Sequence, residues 1–258
     1  MSVFGNYARY YDLIYRDKNY VGEARYVHTL IQRYFPDARS ILELGCGTGR
    51  HAELLCDLGY DVCGVDSSHE MLELATNRIK KRSLDPDKRR ELSFLRGDIR
   101  DFHLGKRFDV VIALFHVMSY ITCNDDLRGV FRLIKEHLKP KGGLIFDCWY
   151  GPAVLTDMPT IRILRLEDEN IKIMRIAEPV MRPNKNIAEI NYHIYVHSKK
   201  GGETETIKET HEMRYLFRPE LEMMLSESGM DIVACEQWET GKEAGFDTWN
   251  VCFIGKAQ

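Results

Sequence analysis

No stretch of this sequence approaches the roughly 18–20 consecutive apolar residues that a membrane-spanning helix needs. The opening residues, Met1-Ser2-Val3-Phe4-Gly5-Asn6-Tyr7, carry neither a cationic n-region nor an apolar h-region, so no secretory signal is visible. Cysteine is present seven times, an odd number, scattered inside apolar segments and never as a Cys-x-x-Cys pair. That supports neither a disulfide framework nor a zinc site, so no metal is expected, and the expected compartment is a reducing cytoplasm. A strongly basic face is also missing, since the formal net charge is −3. The nearest approach is Lys80-Lys81-Arg82 with Lys88-Arg89-Arg90, on either side of Leu84-Asp85-Pro86-Asp87, which reads as a solvated helix end and loop. Nucleic acid and membrane are therefore not expected partners; a small molecule is. Internal repeats and low-complexity linkers are absent as well.

What is there is an ordinary globular composition: 258 residues, 44% apolar and 29% charged. Such a chain buries roughly three quarters of the surface its unfolded form exposes. Its organising stretch is Ser40-Ile41-Leu42-Glu43-Leu44-Gly45-Cys46-Gly47-Thr48-Gly49-Arg50, a strand running into a loop with glycine at every second position. A helical pattern, His51–Leu58, follows. Upstream, residues 1–36 read as a helical lid whose first twenty residues carry six aromatics, Phe4, Tyr7, Tyr10, Tyr11, Tyr15 and Tyr20. Helical spacing over Ala8–Arg16 and Val21–Tyr34 is ended by Pro36.

Downstream, Tyr60–Asp66 reads as a second strand ending in a carboxylate. Ser67 as N-cap with Glu70 would form a capping box for a helix over 68–81. Leu92–Leu95 is a third strand, Phe108–Leu114 a central strand buried on both faces, Asp125–Leu138 a helix, and Leu144–Trp149 a fifth strand. Strands then dominate: Ile161–Glu167, Asn170–Pro179, Ile187–His197 and Glu203–Leu216 alternate between turn signals. A helix from Arg218 and strands at Met230–Glu236 and Trp249–Ile254 finish the chain. The fold expected is α/β: a doubly wound, mostly parallel seven-stranded sheet with an inserted antiparallel β-meander. The expected division is a lid over 1–36, a core over 37–150, the insertion over 151–217 and completion of the core sheet over 218–258.

A pyrophosphate loop has the pattern Gly-x-Gly-x-x-Gly. Here the third glycine comes one residue early, and Glu43 would repel a pyrophosphate. A carboxylate there suits a cofactor carrying positive charge, such as a sulfonium and an ammonium. Asp66, nineteen residues after Gly47, can accept from both ribose hydroxyls, and Asp98 stands where an adenine amino group needs an acceptor. Three acidic residues at the carboxyl ends of three consecutive strands lie where such sheets bind ligands.

Glu43–Gly49, Val65-Asp66, Gly97-Asp98, Phe108–Val111 and Leu138–Gly143, in this order over residues 38–148, resemble the motifs of class I S-adenosylmethionine-dependent methyltransferases. The resemblance implies a Rossmann-like fold and S-adenosylmethionine as cofactor. It implies that Gly45 and Gly47, with Cys46 between them, line the methionine moiety, and that Asp66 and the adjoining Ser67 meet the ribose. Met71 would pack near the adenine, Asp98 and the Ile99 amide would meet its edge, and the Leu114 carbonyl and Phe115 would approach the sulfonium. Tyr15 and Tyr20 would join the cofactor site from the lid. Outside the core, Tyr10–Tyr15 with Asp17–Tyr20, Gly97–Phe102, the meander and His211–Phe217 resemble the N,N-dimethyltransferases of nucleotide-linked amino sugars. Where that family's histidine near the substrate amine aligns, this chain has Tyr120, with His116 four residues earlier.

The expected chemistry is in-line methyl transfer to a neutral amine, with His116 the first candidate base and Tyr120, Tyr11 and Trp149 walling the acceptor. Glycine-like amines and a small hydroxyl acceptor stay open as alternatives, as does a non-catalytic regulator that binds the same cofactor. A nicotinamide oxidoreductase shares the strand–loop–helix opening but is disfavoured by Glu43 and the third glycine. The meander is expected either to cover the acceptor site or to mate with a second copy in a homodimer.

Overall fold

The computed structural model describes residues 8–81 and 90–258. Phe4, Tyr7 and the basic loop around Leu84–Asp87 lie outside these residues. The core strands are β1 (Ser40–Leu44), β2 (Asp61–Asp66), β3 (Leu92–Arg96), β4 (Phe108–Ala113) and β5 (Leu138–Trp149), in parallel register with one another. Two late strands, β10 (Met230–Gln237) and β11 (Asn250–Ala257), close one edge, with β11 antiparallel to both β5 and β10. The order is β10-β11-β5-β4-β1-β2-β3, so the expected seven-stranded sheet is present. Order reverses between β1 and β4, and a switch point of this kind opens a crevice at the carboxyl ends of its strands.

The near-continuous apolar run of β4 follows from its two covered faces. Val110 and Ile112 pack with Val27, Leu30 and Ile31 of α2 (Tyr20–Tyr34) and with α3 (Arg50–Asp57). Val111 and Ala113 face Phe131 and Ile134 of α5 (Asn124–His137) and Leu221 and Leu225 of α7 (Arg218–Glu227). Val27, Leu30 and Ile31 are fully buried, each worth about 2 kcal/mol in transfer free energy. At the opposite end of the sheet, Asp109 accepts from the backbone N–H groups of Arg39 and Ser40, the Ser40 hydroxyl and Lys139. Burial alone would raise its pKa; Lys139, Ser40 and the backbone donors outweigh that and hold it down at about 2.

The insertion is a separate antiparallel sheet, β6 (Arg162–Glu167), β7 (Ile171–Arg182), β8 (Ile187–Ser198) and β9 (Thr204–Arg214), in that order. One face buries Ile173, Ile194, Val196 and Ile207 against Tyr10, Tyr11 and Ile14 of α1 (Ala8–Ile14). Another part of it packs Ala188, Ile190 and Met213 against Tyr120 and Trp149 of the core. The lid helix and the insertion thus share one apolar seam.

Four local expectations need correction. The cap of α4 (His69–Lys81) is Ser68, not Ser67: the Ser68 hydroxyl accepts from Met71 N–H, and Glu70 reaches that hydroxyl instead of forming a capping box. β5 begins at Leu138, not Leu144, with a register break opposite Phe108–Val110 and Lys141 in the left-handed region. A short helix, α6 (Gly151–Thr156), and a 3-10 turn (Val117–Tyr120) occupy segments read as connections. Both are too short for hydrophobic periodicity to reveal. Among the described residues no helix is long and apolar enough to cross a membrane.

Candidate active site

The glycine loop between β1 and α3 is stitched to β2. Cys46 N–H donates to the Val65 carbonyl at 3.1 Å, and Gly47 N–H donates to Asp66 Oδ2 at 2.8 Å. Ser68 N–H donates to Asp66 Oδ1 at 2.9 Å and the Ser67 amide also bonds the carboxylate, which keeps part of its acceptor capacity. Burial raises the Asp66 pKa against the pull of these donors. Gly45 and Gly47 both have positive φ, 64° and 53°. A Cβ on Gly45 would lie 2.6 Å from Val117, whereas one on Gly47 would meet nothing within 4 Å. Gly47 is therefore needed for its backbone conformation, and the space above it is open.

That space is part of a cavity of about 940 Å³. Gly45, Gly47, Asp66, Ser67 and Met71 line it. Asp98, Ile99, Leu114, Phe115 and His116 line it as well. Tyr11 on α1 and Tyr15 in the turn just after it also line it, as do Tyr120 and Trp149. The structure thus brings together most of the candidate residues. Three stand apart from the lining. Glu43 is 2% exposed, behind the loop and 3.8 Å from His51 Nδ1. Its Oε2 is buried with no hydrogen-bond partner, and burial together with Asp66 pushes its pKa up to about 8. Cys46 points into the protein, its thiol raised well above the usual value by burial. Tyr20 packs its ring on His51 with the Arg50 guanidinium 5.1 Å from its centroid, and burial raises its hydroxyl.

Asp98 is already engaged. Arg100 reaches both its oxygens, at 2.9 and 2.5 Å, and the Arg100 N–H also donates to it. The Arg100 bond holds the Asp98 carboxyl below the usual range. The lid is tied down by Asp12, which accepts from Thr48 Oγ1 at 2.9 Å, Arg50 Nε at 3.3 Å and Arg78 Nη2 at 2.6 Å. Tyr15 lies edge-on to Phe115 with centroids 5.1 Å apart, and Lys18 Nζ sits 4.1 Å from the Phe115 centroid.

Phe115 and His116 are consecutive non-glycine residues at φ 65° and 64°, a conformation costing about 1–3 kcal/mol each. Asp147, 1% exposed on β5, accepts the His116 N–H at 3.1 and 3.2 Å and stabilises that turn. From the insertion come Arg162, Tyr192, His211 and Met213, which complete the cavity wall. His211 Nδ1 is 2.9 Å from the Tyr120 hydroxyl and its Nε2 is 3.0 Å from Glu209. With Nε2–H held by Glu209, Nδ1 accepts from Tyr120. Burial raises the Tyr120 hydroxyl well above its usual pKa. Sequence reading gave no role to Asp12, Arg100, Arg162, Tyr192 or His211, although Asp12, Arg100 and His211 lie inside stretches it singled out.

Comparison with known proteins agrees with this architecture. A methyltransferase-domain family matches residues 41–142. The chain is 30% identical over 191 residues to the dTDP-4-amino-2,3,4,6-tetradeoxy-D-glucose N,N-dimethyltransferase of Saccharopolyspora spinosa, covering 73% of this chain and 72% of that one. It is 25% identical over 240 residues to the dTDP-3-amino-3,4,6-trideoxy-alpha-D-glucopyranose N,N-dimethyltransferase of Streptomyces venezuelae, covering 92% and 95%. Among solved structures, an S-adenosylmethionine-dependent methyltransferase from Clostridium acetobutylicum superposes with a TM-score of 0.81 at 22% identity, covering 98% of each chain.

Proposed function

The chain belongs to the S-adenosylmethionine-dependent methyltransferases, and from that premise we propose that it methylates the amine of a nucleotide-linked amino sugar. The observation that carries this reading is the single cavity of about 940 Å³ running from the glycine loop to the insertion. That volume is near the upper end for a small-molecule site and suits a cofactor plus an acceptor. The named activities of the two dTDP-amino-sugar relatives favour this acceptor over glycine-like amines or a hydroxyl.

The residues present suit the cofactor. Beyond its backbone donors, the Asp66 carboxylate keeps acceptor capacity for a ribose hydroxyl. The open face of Gly47 gives room for the amino-acid tail, with Gly45 and Leu114 beside it. Glu43, lying behind the loop, provides a buried carboxyl group that a cationic ligand would draw into its charged form. Phe115 and Tyr15 give aromatic faces to the sulfonium region. Met71 and Ile99 offer apolar contact for adenine, and Ser67 and Asp98 polar contact at its side of the cavity. Tyr20 and Cys46 act on this site through packing, from behind the lining.

When bound, S-adenosylmethionine supplies an electrophilic methyl group, so that a C–N bond forms as a C–S bond breaks. The chain's own contribution is alignment and proton removal. Tyr11, Tyr120 and Trp149 wall the acceptor end, and His116 takes the amine's proton. The division into a lid, a core of 37–150 and 218–258 and an insertion over 151–217, with cytoplasmic location and a homodimer, belongs to the same reading, and of the lid, residues 8–36 are described.

The test is a methyl-transfer screen over nucleotide-linked amino sugars, glycine-like amines and small phenols, reading S-adenosylhomocysteine formation. Turnover with the amino sugars, falling on His116→Gln, is expected. Turnover confined to phenols or glycine-like amines would overturn the acceptor.

A further inference from the structure

His116 sits in an unusual setting for a surface-lining histidine. Its backbone is in the left-handed region, where a β-carbon is disfavoured, and so is that of Phe115 before it. The turn persists because one carboxylate, Asp147, accepts the His116 N–H with both oxygens. The same carboxylate also faces the imidazole: Oδ2 is 2.8 Å from Nδ1, out of line for a full hydrogen bond. Nδ1 is buried, whereas the His116 side chain keeps 19% of its surface, and His116 lines the cavity. The exposed part of the ring is therefore the part away from Asp147. Trp149, on the same strand as Asp147, approaches the ring edge-on with centroids 6.3 Å apart.

We infer that Asp147 is a positioning residue that holds His116 in its Nδ1–H tautomer and so leaves the Nε2 lone pair to the acceptor amine. This deepens the proposed function and rests on its assignment of His116 as the proton acceptor. An ionised carboxylate can only accept, so the nitrogen facing it must carry the proton. The opposite nitrogen is then the basic one. A modest turn of the ring brings Nδ1–H into line, a tightening common between free and substrate-bound sites. In the step served, an N–H bond of the acceptor's ammonium form breaks and its electron pair stays on nitrogen, giving the neutral amine that attacks the methyl group. The proton passes to Nε2, and the imidazolium formed is balanced by the Asp147 carboxylate before water takes the proton on. Sequence distance hid the pair, since 31 residues separate its members. The strained turn gives it a reason to be built: it presents the ring to the cavity and its buried nitrogen to β5 at once.

Asp147→Asn tests this with little change of volume. The asparagine oxygen can still accept the His116 N–H, but its NH2 group donates to Nδ1 and moves the ring proton to Nε2. Nitrogen-15 NMR of the imidazoles reads the tautomer, with the His116 signals identified by their loss in His116→Gln. The free wild-type protein should show Nδ1–H at His116, and Asp147→Asn should show Nε2–H. With an acceptor from the amine screen, Asp147→Asn should lower kcat by about 10- to 100-fold, within the range of general-base effects. KM and the S-adenosylhomocysteine Kd should stay within about twofold, as expected when only the transition-state contribution is lost. In a His116→Gln background the same change should cost nothing further, because the two residues act as one unit. An Nε2–H tautomer in the wild type, an unchanged tautomer in Asp147→Asn, or full additivity with His116→Gln would each overturn the inference. If the wild type methylates no amine, the proposed function fails, while the NMR measurement still decides whether Asp147 sets the tautomer.

Discussion

Replacing Asp12 by asparagine keeps the size of the side chain and removes the charge on which three donors converge. Thr48 belongs to the glycine loop, Arg50 to the start of α3 and Arg78 to α4. All three therefore tie α1 to the cofactor side of the core. The Asp12 carboxylate is 34% exposed and the two guanidinium partners are 30% and 25% exposed, so solvent screens both pairs. At about 0.5 kcal/mol for each exposed pair, the arginines contribute about 1 kcal/mol together. The Thr48 hydrogen bond adds about 1 kcal/mol. Asparagine can retain part of the last, which leaves a loss of about 1.4 kcal/mol, or roughly tenfold in an equilibrium constant. Because Tyr11 on this helix and Tyr15 in the turn directly after it line the cavity, that loss should fall on ligand retention. Titration calorimetry with S-adenosylhomocysteine should show Kd rising about tenfold in Asp12→Asn, with addition of salt weakening the wild type toward the variant. A Kd within twofold of wild type, alongside a lowered Tm, would mean that the clamp stabilises the fold without closing the site, and would refute the reasoning.

Three further outcomes follow from the same geometry. Burial and Asp66 push Glu43 up to about 8, far above an ordinary carboxyl near 4.3. Between those values the unfolded chain has lost the proton that the folded chain keeps, so stability falls as pH rises. Glu43→Gln should remove this slope, gaining at most about 1.4 kcal/mol per pH unit over wild type in urea unfolding between about pH 5.5 and 7.5; parallel pH curves would count against it. Asp98→Ala should weaken S-adenosylhomocysteine binding by about 1 kcal/mol while Arg100→Ala leaves it within twofold. Equal losses would show that the guanidinium, not the carboxylate, serves the adenine end. The outer face of the insertion exposes Ile163 and Val180, 51% and 39%. Light scattering should find a dimer that Ile163→Glu with Val180→Glu splits; a wild-type monomer would remove the dimer.

The central sheet was legible because a parallel strand covered on both faces needs apolar residues at successive positions, as Val110–Ala113 have. The loop and the strand-end carboxylates were legible because Gly47 and Asp66 act through backbone geometry close to a strand terminus. The four strands of the insertion fell near their expected bounds because their turns carry glycine, proline and asparagine. What was not legible depends on contacts distant in sequence. Asp12 meets Arg78 across 66 residues, and Tyr120 meets His211 across 91. The left-handed turn at Phe115-His116 has no glycine to announce it and exists because Asp147 holds it. Ser67 and Ser68 offer the same hydroxyl one position apart, and only the backbone path after Asp66 decides which one caps α4.

The most direct test of the central claim is calorimetric binding of S-adenosylmethionine to the wild type and to Asp66→Ala. One site per chain in the wild type, at least tenfold weaker in the variant, with no uptake of NAD(H) by either, is the result predicted. Failure of the wild type to bind S-adenosylmethionine, or equal binding by Asp66→Ala, would contradict the assignment of the glycine loop and Asp66 to the methyl donor.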